Sequence, residues 1–228
     1  MLNYQKSTNL WGDILIYNDY KLITFVDFPI LMNFLAHSHL SGNNEDVMFG
    51  NFIADSIKGN SYNNFRRDIA TGILLHREID SFTDNHEITK HSKKIVRENF
   101  GKFSGVVVDI YYDHFLARNW GNYSNIELSK FSSHVYQILA MRFFLLPLRI
   151  KKLLPFLIGQ NWLSGYASKN DLARVFKGMD RRTNYISGME DAMIVLEKNY
   201  EELYMDFVDF YVDLEAFSAK ALDKLTAV

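Results

Sequence analysis

His76, Asp80 and Asp84 stand at i, i+4 and i+8 in the segment LLHREIDSFTD. Side chains four residues apart share one face of a helix, so His76 and Asp80 converge on one point. Asp84 falls near the same side if the helix continues. Asp109 and Asp113 repeat the spacing in VVVDIYYDHF, and His114 follows about 100° further round. Asp55 lies in GNFIADSIKG, and His37 lies in NFLAHSHL with Asn33 one turn behind it. Imidazoles and carboxylates together hold divalent cations such as Mn, Fe, Mg or Zn. A cation held this way lowers the pKa of bound water to roughly 7 and polarises a phosphoryl oxygen. Metal-assisted hydrolysis of a phosphoester is the chemistry these residue types suit.

Any one of these pairs, taken alone, reads more readily as a surface ion pair or a satisfied core histidine. Their number and setting change the balance. Asp55, His76, Asp80, Asp113, His114 and His37 all sit in strongly apolar segments. A charge buried there costs several kcal/mol unless it is paired or metal-bound. Too few Arg and Lys share those segments to neutralise them all. Arg77 follows His76 and is placed to pair with Asp80 or to clamp a phosphate. Lys58, Arg66 and Arg67 add positive charge upstream, the two arginines reading best as a solvated helix end. The competing reading is a non-catalytic helical module whose polar cluster is structural.

The elements that must position these residues read as helices from Met32 onward. Met32–Leu40 stops at Ser41-Gly42-Asn43, and Asp46–Lys58 stops at Gly59-Asn60. Asn64–Phe82, Asn85–Asn99, Val106–Trp120, Asn125–Met141 and Pro147–Asn161 follow, with a short element at Asp171–Lys177 before Gly178. A heptad stripe then runs from Met189 through Met193, Leu196, Tyr200, Leu203, Phe207, Phe210, Leu214 and Phe217 to Ala221. It reads as one long core helix in preference to a dimeric coiled coil. Residues 1–31 show no helical period and no good cap. They read as an extension outside the native domain, with Met32 as the expected start. The domain expectation is therefore a single all-α helical bundle over residues 32–228.

Composition narrows the function classes. The chain has 228 residues, 48% of them hydrophobic, with a formal net charge of −2. That suits one packed globule and offers no basic field for nucleic acid. The absence of cysteine excludes disulfides, thiolate metal sites and cysteine nucleophiles. It suits a reducing compartment, and a cytoplasmic location is expected. No charge-free run of about 18 residues spans a membrane. No glycine-rich phosphate loop or Ser-His-Asp arrangement stands out.

Five segments taken in order, MNFLAHSHL (32–40), GNFIADSIKG (50–59), GILLHREIDSFTDNH (72–86), VVVDIYYDHFLARNW (106–120) and KGMDRRT (177–183), resemble the acyl carrier protein phosphodiesterase family, also called ACP hydrolyases. The resemblance runs from Met32 to near the C-terminus. It implies a helical fold distantly similar to HD-type phosphohydrolases, with the motif order rearranged. It implies hydrolysis of the phosphodiester joining 4′-phosphopantetheine to a serine of holo-acyl carrier protein. Manganese is the implied cofactor, with iron or magnesium as alternatives. Carried over, Asp55, His76, Asp80, Asp113 and His114 become the expected site, with His37 in the same opening motif. His37, Asp55, His76, Asp80 and Asp113 are the expected metal ligands, and Asp113 and His114, with Asp84 and Asp109 added by their helical spacing, the expected catalytic groups. His39 is the weaker histidine of the opening motif. Arg77, Lys58, Arg181 and Arg182 are expected to bind phosphate or substrate. Acyl carrier protein, the implied partner, is acidic, so Arg149, Lys151 and Lys152, or Arg174, Lys177, Arg181 and Arg182, are candidates for docking it. A related phosphohydrolase acting on a small phosphoester or nucleotide is the nearest alternative.

Overall fold

The computed structural model describes residues 33–227. The expectation for residues 1–31 lies outside them, as does the side chain of Arg182. Among the described residues the secondary structure is helical, without strands.

The core pair is α2 (Glu45–Ile53) and α3 (Arg67–Asn85). Asn44 caps α2, its side chain accepting the amides of Asp46 and Val47. The helices cross at two glycines. A Cβ on Gly50 would fall on the carbonyl oxygen of Ile69, and one on Gly72 on that of Val47, both well inside van der Waals contact. Only hydrogen at both positions lets the backbones approach this closely. The crossing therefore sets how near the end of α2 comes to His76 on α3.

The short α1 (Phe34–His39) lies against α2 and α5 (Ser104–Arg118). Helix α4 (Glu87–Phe100) joins α3 to α5. Helix α5 is buried on nearly every face. That explains why its β-prone VVV opening does not decide its conformation, since packing overrides propensity. Helices α6 (Leu128–Met141), α7 (Leu148–Gly159), α8 (Trp162–Gly165) and α9 (Lys169–Arg182) form a second layer. Two helices, α10 (Ala192–Lys198) and α11 (Tyr200–Thr226), carry the heptad stripe. The stripe packs within the molecule: Leu203, Phe207, Phe210 and Leu214 are buried, and α11 contacts α3, α4 and α5.

Three elements differ from the sequence expectation. The second helix ends at Ile53, five residues early, and Asp55 sits in the 3₁₀ turn Ala54–Ser56. Arg77 holds that ending open by donating to the carbonyls of Ile57 at 2.9 Å and Gly59 at 2.8 Å. Helix α9 runs straight through Gly178 for 14 residues; its glycine costs about 1 kcal/mol, which the packed face outweighs. The stripe is not one helix: it breaks at Asn199, whose side chain donates to the carbonyl of Val195 at 2.8 Å.

Candidate metal centre

Two histidines stack face to face at the end of the α2–α3 crossing. The His37 and His76 ring centroids are 4.0 Å apart, and the rings are 1% and 6% exposed as residues. Both turn Nε2 toward the carboxylate of Asp80. His37 Nε2 lies 3.2 Å from Oδ1, and His76 Nε2 lies 3.2 Å from Oδ2. Asp55 approaches from the α2 side, its Oδ1 3.3 Å from His76 Nε2. His37, His76 and Asp80 each offer a ligand atom within 4.8 Å of the others.

Asn51 decides what these rings can do. Its Oδ1 lies 2.8 Å from His37 Nδ1 and 3.0 Å from His76 Nδ1. Its Nδ2 donates to the carbonyl of His37 and to Ser41 Oγ, both at 3.0 Å. The His37 carbonyl accepts only, so the amide orientation is fixed. A carbonyl oxygen also accepts only, so both Nδ1 atoms must carry hydrogen. In the neutral rings both Nε2 atoms are then bare lone pairs aimed at one region. The sequence reading missed Asn51. The signal was present: a polar side chain within the apolar run of α2, four residues before Asp55.

The two rings differ in charge while no cation is bound. Burial holds His37 below the ordinary imidazole range, and the neighbouring His76 lowers it further, outweighing Asp80. Burial also pulls on His76, but the carboxylates of Asp55 and Asp80 push it up to about 9. Burial works against the Asp80 anion, yet the two imidazoles of His37 and His76 beside it hold it well below the usual carboxylate range. Without a cation, the cluster keeps a proton to balance its carboxylates.

A divalent cation fits this donor set. Two ligands about 2.1 Å from one ion, at 90–110° to each other, lie roughly 3.0–3.4 Å apart, and each histidine stands at 3.2 Å from one Asp80 oxygen. Moreover, His37 Nε2 is sealed from solvent and makes no hydrogen bond. A buried lone pair left this way is costly, and coordination relieves the cost.

Residues 32–214 match the sequence profile described as acyl carrier protein phosphodiesterase. The chain belongs to that family. A Photorhabdus laumondii protein named acyl carrier protein phosphodiesterase is 32% identical over 79% of this chain and 91% of its own. Proteins of that name from Yersinia pestis and Yersinia enterocolitica are each 30% identical, over 79% and 85% of this chain and 94% and 99% of theirs. No solved structure matches the chain. The family match covers every residue of the cluster.

The other sequence-named residues fall elsewhere. Asp113 is fully buried and accepts the amides of Leu35 at 3.1 Å and Ala36 at 2.9 Å. It thus caps α1 from another helix, because Asn33, the local N-cap residue, makes no side-chain cap. Burial pushes Asp113 up to about 7, even though the two amides favour its anion. His114 is buried and lies 2.6 Å by Nδ1 from the carbonyl of Tyr166. Asp84 pairs with Lys93 at 2.7 Å on the surface. Asp109, half-buried beside a small cavity of about 20 Å³ lined also by Asn33 and Thr83, is pushed up to about 8 by burial, against Lys93. Arg77 is engaged with the 57–59 loop and stacks 5.4 Å over Tyr62, so it neither pairs with Asp80 nor stands free for phosphate. Lys58 is exposed, two residues after the turn that carries Asp55. His39 bonds Tyr211 Oη and the carbonyl of Tyr123 and serves packing. Arg181 is exposed. Its neighbour Asp180 is buried and accepts Ser187 Oγ and the Met189 amide, a loop-holding role for that motif.

Proposed function

We propose that the protein is a divalent-metal phosphodiesterase that removes 4′-phosphopantetheine from holo-acyl carrier protein, with manganese as the working metal. The observation that carries the metal-dependent part is the Asn51 lock, which fixes both Nδ1 protons and so turns both Nε2 atoms and the Asp80 carboxylate to one point, where a cation would replace the proton the cluster otherwise keeps. The carrier-protein substrate rests on the family and on the names of its members.

His37, His76 and Asp80 would hold the cation, with Asp55 beside them. Bound there, the metal would supply a water of lowered pKa and a Lewis acid for a phosphoryl oxygen. Asn51 keeps both Nδ1 protons in place, so neither ring turns an N–H toward the substrate. Asp55, exposed at the rim and 3.3 Å from His76 Nε2, would orient the attacking water, take its proton at the carboxylate, and return it to the serine oxygen as the P–O bond to that serine breaks. The exposed Lys58 ammonium binds a non-bridging phosphate oxygen as charge builds there. Asp113 acts at a distance by fixing the start of α1 and so the place of His37.

Intact-mass measurement of holo-acyl carrier protein incubated with the enzyme and Mn²⁺ tests this reading. Loss of the phosphopantetheine mass supports it. An intact holo-protein, from a preparation that hydrolyses nucleotides or simple phosphoesters, would move the activity to small substrates.

A further inference from the structure

The corner between α6 and α7 is built unlike the rest of the surface. Met141, Phe144 and Leu148 are 79%, 91% and 69% exposed, and Phe143 and Leu145 beside them are exposed as well. Scattered apolar residues need no explanation, but a contiguous patch marks a contact. The corner is also held in shape. Phe143–Leu145 form a 3₁₀ turn, Lys151 donates from Nζ to the Phe144 carbonyl at 3.1 Å, and the same ammonium lies 5.6 Å over the Phe143 ring. A side chain as large as Phe144 is therefore presented to solvent on a braced turn.

Charge says what covers it. Six of the 25 Lys and Arg, and none of the 27 Asp and Glu, fall within residues 128–170, which leaves the rest of the chain at −8. The patch thus sits on a basic stretch of chain that carries no acidic residue of its own; Glu45 and Asp46 of α2 reach it at Arg142, and Lys152 stands exposed beside the apolar residues. A second copy would have to bring the same basic surface to this one or meet it with an unrelated face. A protein with acidic residues around an apolar strip complements it directly.

The patch is also within reach of the site. Arg142, between Met141 and Phe143, binds Asp46 at 2.7 Å and Glu45 at 3.1 Å at the start of α2. The metal cluster lies at the other end of that helix, whose nine residues span about 14 Å. A partner domain of about 100 residues, with a radius of gyration of roughly 13 Å, covers that span. The other basic group, Arg174 to Arg181, has exposed Tyr185 and Ile186 close behind it, but its Arg174 is bound to Asp171 at 2.6 Å, and among the described residues no ion pair ties it to either end of α2.

We propose that the α6–α7 corner is the docking surface for the acidic protein substrate, with Phe144 and Leu148 as its apolar anchors and Lys152 as its steering charge. This rests on the carrier-protein reading above. The test compares wild type with Phe144→Ala/Leu148→Ala and with Lys152→Glu, none of which touches the metal cluster. Steady-state hydrolysis of holo-acyl carrier protein is measured beside that of bis(p-nitrophenyl) phosphate. The expected result is a KM for the carrier protein raised about tenfold in the double variant, with kcat and small-diester hydrolysis unchanged. Normal wild-type turnover with unchanged KM in both variants would overturn the docking surface alone. Wild type that leaves holo-carrier protein intact would overturn the hydrolase reading and this occupant with it. Two further outcomes also overturn it when KM is unchanged: co-sedimentation with phosphatidylglycerol vesicles lost in the double variant, which assigns the patch to a membrane, and a dimer in sedimentation velocity dissociated by it, which assigns it to a second copy.

Discussion

Replacing Asn51 by Leu removes a side chain of the same size class that makes four hydrogen bonds, two accepted from His37 and His76 and two donated to the His37 carbonyl and Ser41 Oγ. Each such bond contributes about 1 kcal/mol net, and buried groups left unpaired cost about 1–3 kcal/mol each. Because Leu strands several at once, the expected loss of stability is on the order of 2–4 kcal/mol. The effect on metal binding is separate. Without a shared acceptor, each ring is free to place its proton on Nε2, the ligand atom. Losing a hydrogen-bond partner of this kind weakens metal binding about 10- to 100-fold. Since one oxygen serves two ligands here, the upper end is expected. Calorimetric titration of the metal-free enzyme with Mn²⁺ reads this directly, with circular dichroism to confirm the fold. Asn51→Asp restores the acceptor but not the two donors. It should recover most of the affinity while remaining less stable than wild type. A folded Asn51→Leu protein that binds Mn²⁺ as wild type does would refute the reasoning, and so would an Asn51→Asp protein as weak as the leucine variant.

Gly72→Ala drives a methyl into the Val47 carbonyl and should cost more than about 3 kcal/mol, read as a large fall in Tm or loss of soluble protein. Asp113→Ala strands the Leu35 and Ala36 amides and should lower stability by about 1–2 kcal/mol, with weaker Mn²⁺ binding through His37 as the accompanying sign. Asp109, raised to about 8, is an acid that binds its proton more tightly folded than unfolded. Its contribution is fully present below about pH 4 and is lost as pH rises toward 8, so Asp109→Asn should stabilise the metal-free protein by on the order of 5 kcal/mol at pH 8 and little at pH 4, measured by thermal melts across that range.

Local periodicity made part of this molecule legible. The step of four from His76 to Asp80 survives intact, because α3 carries both on one face. The further step to Asp84 turns about 80° from His76, which takes that carboxylate to Lys93 instead. Asp113 and His114 read correctly as polar groups in an apolar helix. Their partners are the α1 amides and the Tyr166 carbonyl, joined only by tertiary packing that no spacing reveals. Asn51 escaped because an amide is neither ligand nor acid. Its importance comes from the two rings it joins, one 14 residues before it and one 25 after. The break at Asn199 was invisible for another reason: the apolar stripe keeps its spacing across it, while the backbone does not.

The central claim is that turnover needs a divalent cation on His37, His76 and Asp80. It is tested most directly by titrating metal-free enzyme with Mn²⁺ while measuring phosphopantetheine release from holo-acyl carrier protein, for wild type and Asp80→Asn. The account predicts no release without metal, a rise that saturates in wild type, and half-saturation moved at least tenfold higher in the variant. Full release in excess chelator, or identical curves for the two proteins, would contradict it.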